Sequence, residues 1–246
     1  MSSVALVLTV GGSHEPLLAA IGNVQPSYVL FVCSEDDPVT GNPGSYSQVL
    51  SKGKIIKAKF GDDKPTLENI PRQVGLDEER FKVVTIPSDE IDSAYRTVAA
   101  ELRVLTKEYS RVVCDYTGGT KSMSSSLVLA AVDNENVEVQ VVAGARTNLR
   151  KIDTSYQSVQ SARVGKTRFS DGLAKALRNW EKHNYAVALY ELNSLKASSN
   201  EDSAALMSAR VASQAFASWD VFNHAAAKEN LAGISRKICE EHRVYR

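Results

Sequence analysis

Short apolar runs that alternate with amphipathic segments are the feature that most constrains how this chain folds. Residues 4–10, 28–33 and 81–86 are rich in apolar and β-branched side chains, as expected for strands that are covered on both faces of a sheet. Residues 111–116 and 137–143 have the same character. Because helical segments separate these runs, the sequence predicts an α/β fold over residues 4–145, with a mostly parallel sheet and helices on both sides.

The helices between the strands are predicted from the spacing of their apolar residues. Pro16 is well placed to begin a first helix, and residues 89–109 and 122–134 each place an apolar set on one face. Residues 46–50 predict a short helix, and residues 54–60 are a candidate strand. The apolar sets are Leu17, Leu18 and Ile21 in the first helix, Ile91, Ala94, Val98, Leu102, Leu105 and Tyr109 in the second, and Met123, Leu127, Ala130 and Ala131 in the third.

The composition is that of a globular protein without a large charged surface. The 246 residues include 29 basic and 29 acidic side chains, so the formal net charge is zero and no binding of duplex DNA is expected. No apolar run approaches the ~20 residues that a membrane span needs, and residues 4–10 are too short for a secretory segment. We therefore expect a cytoplasmic protein, in which Cys33 and Cys114 are buried thiols.

The turn at residues 115–123 carries the strongest chemical signal in the chain. It lies between a strand and a helix, and it combines two glycines with two threonines and a lysine. Such a turn brings backbone N–H groups, the positive end of a helix and an ammonium group to one point, which suits a phosphate. The alternative is that the glycines only make a tight turn. The five residues are Thr117, Gly118, Gly119, Thr120 and Lys121.

Two common nucleotide-binding motifs are absent. A P-loop, G-x-x-x-x-G-K-[ST], would need glycine in place of Asp115 and Thr120, so a Walker-type NTPase is not expected. Gly11 and Gly12 begin a loop after the first strand, but the sequence does not continue as a dinucleotide fingerprint. A phosphate site at this turn would therefore be of another kind.

Three polar loops are predicted to meet at one edge of the sheet. Residues 11–14, 34–36 and 117–121 each follow a predicted strand. Ligands of parallel α/β sheets bind beyond the carboxyl ends of the strands, so these loops together form the candidate site.

The pattern Asp-x-Thr-x-Gly-Thr-Lys-x-Met at residues 115–123 resembles that of the CRISPR-associated Rossmann-fold (CARF) family. The resemblance covers residues 4–145 in motif order. It is supported by the end of the first strand and the loop that follows, which read Thr9, Val10, Gly11, Gly12 and Ser13. The resemblance implies a Rossmann-like sheet in a homodimer that binds cyclic tetra- or hexa-adenylate across its two-fold axis. That ligand is the second messenger of type III CRISPR defence. An isologous dimer presents each donor twice, which matches a ring with two-fold symmetry.

The resemblance also implies which residues contact the ring. Backbone N–H groups, threonine hydroxyl groups and the lysine of the turn would bind its phosphates. The candidate ligand-binding residues are Thr9, Gly11, Gly12, Ser13, His14, Ser34, Glu35, Thr117, Gly118, Gly119, Thr120, Lys121 and Met123.

Some members of this family are ring nucleases, which cut the ring without a metal ion. A ribose 2′-hydroxyl group attacks its own phosphodiester in line and leaves a 2′,3′-cyclic phosphate. The resemblance implies that Lys121 stabilises the phosphate charge and that Ser13 positions the phosphate. His14 is a candidate proton shuttle, and the alternative for His14 is an exposed loop histidine. No cofactor is expected, and neither the histidines nor Asp36 and Asp37 show the spacing of a metal site.

The pattern is helical from Phe169 to the end of the chain. We therefore expect a Rossmann domain over residues 1–147, a linker or hairpin over 148–167 and a small all-helical domain over 168–246. The last residues follow a helix without a cap, which fits a fragment of a longer protein as well as a helix that frays.

The helical domain allows a rival function. Sensors of this family often carry a HEPN ribonuclease with an R-x4–6-H motif, and two pairs fit it: Arg178 with His183, and Arg236 with His242. Arg236 and His242 are the better pair because they come late in a helical domain, although Lys237 departs from the usual polar residue after the arginine. The alternative is a dimerisation or lid module with Trp180, Phe216 and Trp219 in its core.

The sequence thus favours a protein that binds and cuts a cyclic oligoadenylate. The first alternative is a sensor that relays ligand binding to a ribonuclease site in the helical domain or in a partner. A transcriptional regulator is the least favoured, since no clear basic recognition helix is present.

Overall fold

The computed structural model describes residues 3–51, 68–134, 136–143, 146–147, 151–152, 158–162, 164–197 and 199–232. The candidate strand at residues 54–60 and the pair Arg236 and His242 lie outside these residues. The chain divides into two units, Met1–Ala162 and Arg163–Arg246.

The first unit is an alternation of strands and helices. Its elements are β1 (Val4–Thr9), α1 (Glu15–Val24), β2 (Tyr28–Ser34), α2 (Ser47–Leu50), α3 (Ile70–Gln73), a 3₁₀ turn (Glu78–Arg80), β3 (Phe81–Ile86), α4 (Ile91–Glu108), β4 (Arg111–Asp115), α5 (Lys121–Val132), β5 (Val137–Ala143), β6 (Arg146–Thr147), β7 (Lys151–Ile152) and β8 (Ser158–Ala162). The helices that the sequence predicts at residues 46–50, 89–109 and 122–134 are present, with ends that differ by one to two residues.

Six strands form one sheet in the order β3-β2-β1-β4-β5-β8. The first four neighbouring pairs are parallel and only β5 with β8 is antiparallel, which confirms the predicted α/β class with a mostly parallel sheet. In the centre of the sheet, Leu8 lies opposite Phe31 on one side and Asp115 on the other.

The strand order reverses at β1. From β1 the chain builds outward through β2 to β3, and α4 then returns it to the other side of β1, where β4 and β5 follow. The two connections therefore diverge beyond the carboxyl ends of β1 and β4. In open α/β sheets this divergence leaves a crevice, which is the usual place for a ligand.

The core lies on both faces of the sheet because strand side chains alternate in direction. On one face, Leu6, Leu8 and Val10 pack in a buried cluster with residues of α1 such as Leu17 and Ile21. Helices α4 and α5 supply the buried set of the opposite face, and the apolar set predicted for α5 is buried throughout: Met123, Leu127, Ala130 and Ala131. In α4, Ile91 is exposed because it is the first residue of the helix, while Ala94, Val98, Leu102 and Leu105 are buried.

The sheet continues beyond residue 147, where the sequence predicts that the Rossmann domain ends. β8 lies within the segment 148–167, predicted as a linker or hairpin, and it pairs with β5 at the edge of the sheet. Its sequence, Ser-Val-Gln-Ser-Ala, contains little apolar surface because an edge strand needs mainly its backbone hydrogen bonds. The pair of short strands β6 and β7 also lies beyond β5.

The second unit consists of helices. They are α6 (Gly165–Glu181), α7 (Tyr185–Ser194), α8 (Asn200–Asp220) and α9 (His224–Ala232). Its core cluster contains Phe169, Ala176, Leu192 and Leu206. None of the described helices has the length and apolar character that crossing a bilayer requires.

One aromatic residue of this unit is placed differently from the sequence prediction. Trp180 and Phe216 pack edge to face, with ring centroids 5.0 Å apart, as expected for core residues. Trp219 is 56% exposed, so its prediction as a core residue is wrong. It lies in the last turn of α8, where the ring of His224 at the start of α9 packs against it with centroids 4.9 Å apart.

Candidate functional site

The loop after β1 and the turn after β4 meet through their glycines. A Cβ atom on Gly11 would lie 2.5 Å from the backbone nitrogen of Gly119, and a Cβ atom on Gly118 would lie 2.2 Å from the carbonyl oxygen of Thr9. Gly119 has a φ of +79°, in the left-handed region that glycine adopts readily. The prediction that these two loops meet at the sheet edge is therefore confirmed, and the contact is one of backbone against backbone.

Two hydroxyl groups hold the carbonyl oxygen of Gly118. Thr9 at the end of β1 donates to it at 2.7 Å, and Ser124 in the first turn of α5 donates at 2.8 Å. The carbonyl is thereby directed into the protein. Since the carbonyl group of Gly118 and the N–H group of Gly119 belong to the same planar peptide unit, this fixes the orientation of that N–H group.

A buried carboxylate organises the beginning of the turn. Asp115 is fully buried and accepts hydrogen bonds from the N–H group of Thr117 at 2.9 Å, from the Thr117 hydroxyl group, and from Nε2 of Gln140 at 3.0 Å. The Thr117 hydroxyl oxygen in turn accepts from the N–H group of Val142 at 2.7 Å. Burial raises the pKa of the Asp115 carboxyl, and the hydrogen bonds from Thr117 and Gln140 oppose that rise.

Thr120 caps the amino terminus of α5. Its side-chain oxygen accepts a hydrogen bond from the N–H group of Met123 at 3.2 Å, and its hydroxyl group donates to the carbonyl oxygen of Ser88. The hydroxyl groups of Thr117 and Thr120 are therefore used inside the protein, whereas the sequence predicts that they bind the phosphate. The hydroxyl group of Thr117 is used by the buried Asp115 carboxylate, and the side-chain oxygen of Thr120 is used by the cap of α5.

The groups that remain for a ligand are main-chain donors and one ammonium group. In the part of the chain that the structure describes, the N–H groups of residues 118–120 donate to no protein acceptor, and Lys121 has no ion-pair partner. Lys121 is exposed and is the first residue of α5, where the helix dipole is positive. Ser13 is half-buried in the facing loop. This arrangement can bind an anion without any other charged side chain.

The third predicted loop, residues 34–36, forms hydrogen bonds with the segment that follows it in the chain, at residues 44–46. Ser34 and Ser45 exchange two hydrogen bonds, from each N–H group to the other hydroxyl oxygen, at 2.8 and 2.9 Å. Asp36 accepts from the N–H group of Gly44 and the hydroxyl group of Tyr46, both at 2.8 Å, and these bonds lower the pKa of its carboxyl. Glu35 is exposed.

Gln48 connects this loop to the site, and sequence reasoning does not identify it. Its Nε2 donates to the carbonyl oxygen of Gly11, so the loop reaches the site through α2 and not through Ser34 or Glu35. The Oε1 atom of Gln48 is buried and has no hydrogen-bond partner among the described residues. A single glutamine in a four-residue helix gives no signal in sequence that distinguishes it from a surface residue.

Three predicted ligand-binding residues are buried. Thr9 and Met123 lie beneath Gly119, where a Cβ atom would approach their own Cβ atoms to 3.0 and 3.2 Å, so they support the turn and cannot touch a ligand without its opening. His14 is only 6% exposed, and its carbonyl oxygen accepts from the N–H groups of Leu17 and Leu18 in the first turn of α1. The alternative of an exposed loop histidine is therefore wrong. Gly12 is exposed beside them.

Of the two R-x4–6-H candidates, the pair Arg178 and His183 lies within the described residues, at the end of a helix. Arg178 is exposed near the end of α6, and His183 lies in the turn to α7 with a φ of 59°. The imidazole Nδ1 is 2.9 Å from the hydroxyl oxygen of Tyr185. Among the described residues, no group of three or more His, Cys, Asp or Glu side chains could hold a metal ion.

Comparison with known proteins finds its match at the level of structure. No protein-family model matches the chain, and no curated protein matches its sequence. Csm6 from Enterococcus italicus, bound to cyclic hexa-2′-fluoro-hexa-dAMP, is similar with a TM-score of 0.60 and 14% identity, over 91% of this chain and 56% of that chain. The chain has a CARF-like fold. The resemblance of the turn motif is thereby confirmed as a resemblance of fold.

The CARF-like chain spans about half the length of the Csm6 chain that it matches. Two other structures are similar at lower scores. Can2 from Sulfobacillus thermosulfidooxidans in complex with cyclic tetra-adenylate has a TM-score of 0.36 at 11% identity, over 56% of this chain and 30% of that chain. A type III CRISPR defence DNA nuclease activated by cyclic oligoadenylate has a TM-score of 0.42 at 14% identity, over 88% and 34%.

Proposed function

We propose that this chain binds a cyclic oligoadenylate of type III CRISPR defence at the edge formed by the loops after β1 and β4. The observation that carries the proposal is that, among the described residues, the N–H groups of residues 118–120 and the ammonium group of Lys121 have no hydrogen-bond acceptor or ion-pair partner and follow one another in the turn that packs on the loop after β1. The fold shared with Csm6, whose structure contains a cyclic hexanucleotide, supports the choice of ligand.

The donors of the turn suit a phosphodiester. Each linkage of the ring carries one negative charge, and hydrogen bonds to a charged acceptor are roughly twice as strong as neutral ones. The amino terminus of α5 and the Lys121 ammonium group add favourable charge at the same point. A homodimer would present two such edges to one ring, and we propose that this is the binding-competent state.

The binding test is a titration of the protein with cyclic tetra-adenylate and cyclic hexa-adenylate by isothermal titration calorimetry. Removing one charge-assisted contact costs about 1.5–3 kcal/mol, and Lys121→Ala removes one from each protomer of the proposed dimer, so binding should weaken by roughly hundredfold or more. Lys107→Ala is the matched control, because Lys107 is an exposed lysine in the last turn of α4. Equal affinity of the Lys121→Ala variant and the unchanged protein would contradict the proposal.

We further propose that the bound ring is cut. In this reaction a ribose 2′-hydroxyl group gives up its proton and its oxygen forms a bond to the adjacent phosphorus, while the bond from phosphorus to the 5′-oxygen breaks and the 5′-oxygen takes up a proton. Lys121 would stabilise the charge on the phosphate oxygens, and Ser13 would hold the phosphate. His14 lies next to Ser13 at the start of α1 and is a candidate for the proton transfer.

Chromatography of the products tests the cleavage. Linear oligoadenylates with a 2′,3′-cyclic phosphate should appear with the unchanged protein, and Ser13→Ala and Lys121→Ala should each slow their formation by at least tenfold at saturating ring concentration. His14→Gln roughly keeps the volume of the side chain and removes its basicity, so it separates proton transfer from packing. Unchanged turnover in both the Ser13 and the Lys121 variants would exclude the assignment.

A sensor without ring cleavage is the second candidate. The observation in its favour is that the similarity to Csm6 extends over 91% of the chain, beyond the sheet and into the helical unit. In this case ligand binding would be relayed to a ribonuclease site in the helical domain or in a partner. Cleavage of single-stranded RNA only in the presence of the ring, with the ring recovered intact, would favour the sensor.

A further inference from the structure

The side-chain amide of Gln48 is held in one orientation by the loop after β1. Its Nε2 donates to the carbonyl oxygen of Gly11, and its Oε1 is buried without a hydrogen-bond partner among the described residues. A carbonyl oxygen can only accept, so turning the amide over would place two acceptors against each other. The amide therefore gives its nitrogen to Gly11 and leaves its oxygen unpaired in the interior.

This arrangement adds little to the stability of the fold. One intramolecular hydrogen bond contributes a small net free energy, whereas a buried acceptor without a partner costs at least as much. A methionine at position 48 would fill the same space without either effect. Buried polar groups that lack a partner are rare in proteins, and a role in a functional site is one explanation for them.

The backbone around Gln48 is fixed although α2 has only four residues. Val49, the next residue of the helix, is buried in the cluster that also contains side chains of β1 and α1. Asn69, which is itself buried, donates from Nδ2 to the carbonyl oxygen of Ser51 at the end of α2, at 3.0 Å. Gln48 thus contacts Gly11 from a well-anchored position.

The hydrogen bond from Gln48 sets the direction of the next main-chain donor. The carbonyl group of Gly11 and the N–H group of Gly12 belong to one planar trans peptide unit, in which the C=O and N–H bonds point in opposite directions. The Gly12 N–H group therefore points away from Gln48. In the described part of the chain it donates to no acceptor, and Gly12 is exposed. Beyond its chain neighbours, no atom lies within 4 Å of a Cβ atom added to Gly12.

Gly12 lies within the edge proposed for the ligand. On one side in the chain, Gly11 contacts Gly119 of the turn after β4, and on the other side follows Ser13, the residue proposed to hold the phosphate. A main-chain donor that is exposed, unpaired and fixed in direction suits a phosphate oxygen. Hydrogen bonds to a charged acceptor are strong, and no side chain loses rotamer freedom when this one forms.

We infer that Gln48 is a positioning residue for the proposed ligand site: it orients the Gly11–Gly12 peptide unit so that the Gly12 N–H group donates to a phosphate oxygen of the bound cyclic oligoadenylate. The inference rests on the proposed function, and it adds a donor from the first loop to the donors of the turn. Gln48 itself does not touch the ligand and acts through Gly12. The unpaired Oε1 atom is a consequence of this orientation.

The test replaces Gln48 by methionine, which has a similar length and lacks both the donor and the acceptor. Titration calorimetry with cyclic tetra-adenylate and cyclic hexa-adenylate should show at least tenfold weaker binding of whichever ring the unchanged protein binds more tightly, since both protomers of the proposed dimer carry the change. The melting temperature, followed by circular dichroism, should stay within about 3 °C of that of the unchanged protein, because the lost hydrogen bond and the removed unpaired acceptor offset each other.

Gln73→Met is the matched control. Gln73 is half-buried in α3 and also donates from Nε2 to a backbone carbonyl oxygen, that of Glu68, but this bond involves neither loop of the site. Its ring affinity should equal that of the unchanged protein. A loss of affinity in Gln48→Met alone therefore assigns the effect to the hydrogen bond with Gly11.

Nuclear magnetic resonance distinguishes positioning from a general effect on the fold. The chain has 14 glycines, so labelling with ¹⁵N-glycine gives a simple amide spectrum, in which the peak that Gly12→Ala removes identifies Gly12. When the ring is added to the unchanged protein, the Gly12 amide proton should move downfield, as expected for a new hydrogen bond to a charged acceptor. In Gln48→Met this displacement should be lost.

Three results obtained with a protein that binds the ring would overturn the inference. They are equal affinities of Gln48→Met and the unchanged protein, an equal displacement of the Gly12 amide proton in both, and a melting temperature of Gln48→Met lowered by more than about 3 °C, which would show that the amide serves the fold. If the unchanged protein binds neither ring, the proposed function fails and the inference fails with it. That outcome is visible before any Gln48 variant is made, so the two failures are distinguishable.

Discussion

At the scale of single residues, the contact between the two glycine loops depends on the absence of a Cβ atom at Gly11. In Gly11→Ala the new methyl group would meet the backbone nitrogen of Gly119, which cannot rotate away, so the loops must separate. Overpacking of this kind costs about 1–3 kcal/mol of unfolding free energy. Gly12→Ala should cost less than about 0.5 kcal/mol, because no atom lies within 4 Å of its added Cβ. Urea unfolding of the two variants distinguishes them, and equal losses would contradict the prediction.

Asp115 predicts a pH dependence at the same scale. Burial raises the pKa of its carboxyl above the ordinary value near 4, so the folded protein holds the proton more tightly than the unfolded chain. Its contribution to stability is therefore greatest at low pH and falls as the pH rises through the folded pKa. The amide side chain of the Asp115→Asn variant does not titrate, so the variant lacks this contribution. Relative to this variant, the unchanged protein should gain about 1.4 kcal/mol for each unit of pKa elevation when calorimetry is repeated at pH 4 instead of pH 7.

A constant difference between the two proteins across this pH range would contradict the prediction. The asparagine can still accept from the N–H group of Thr117, and Gln140 can turn its amide to present an oxygen to the new Nδ2 group. The comparison therefore reports mainly the charge of Asp115 and not the loss of the hydrogen-bond network.

At the scale of elements, the carbonyl oxygen of Gly118 ties β1 to α5. Thr9→Val and Ser124→Ala each remove one donor to it and leave the other in place, so each should cost about 1 kcal/mol. The double variant leaves a carbonyl without either donor, and its loss should exceed the sum by about 0.5–1 kcal/mol. A double-mutant cycle of unfolding free energies measures this coupling. If the two losses of unfolding free energy simply add, the two hydroxyl groups act independently on the Gly118 carbonyl group and the prediction is wrong.

The sequence predicts the elements that have a periodic apolar pattern and not those that depend on distant partners. α5 is predicted with its buried face because its residues recur at helical spacing and a glycine turn precedes them. β8 is missed because an edge strand pairs through its backbone and needs few apolar residues. The hydroxyl groups of Thr117 and Thr120 are assigned to a ligand because sequence alone does not show that Asp115 is buried beside one and that the carbonyl group of Ser88 reaches the other.

The same limit applies to residues that connect loops. Gln48 reaches Gly11 only because α2 packs beside the first loop, and this proximity depends on the strand order β2-β1. Trp219 is predicted as a core residue because its helix has an apolar pattern, yet its side chain is largely exposed at the end of α8. Pattern defines which face of a helix is apolar, whereas the neighbouring elements decide whether that face is covered.

At the scale of the whole molecule, the proposed homodimer would make each ligand site half of a shared one. A ring held across a two-fold axis requires one ring for two chains, which native mass spectrometry measures directly. The affinity should also fall as salt rises from about 0.05 M to about 0.5 M, because the Lys121 ammonium group is exposed and the Debye length shrinks below ~10 Å above 0.1 M. One ring per chain, or an affinity that does not respond to salt, would contradict the shared and electrostatic nature of the site.

The main-chain donors at residues 118–120 have a consequence for mutational scanning. Every amino acid except proline supplies the same peptide N–H group, so alanine substitution removes none of these donors and can only distort the turn. A side-chain scan of this edge would rank Lys121 first even if the peptide groups contribute more to affinity. Replacing a single amide by an ester, by chemical synthesis or by incorporation of an α-hydroxy acid at Thr120, deletes one donor while preserving the shape of the turn. Amide-to-ester replacement, and not side-chain substitution, can therefore measure how much each main-chain N–H group contributes to the affinity of this site.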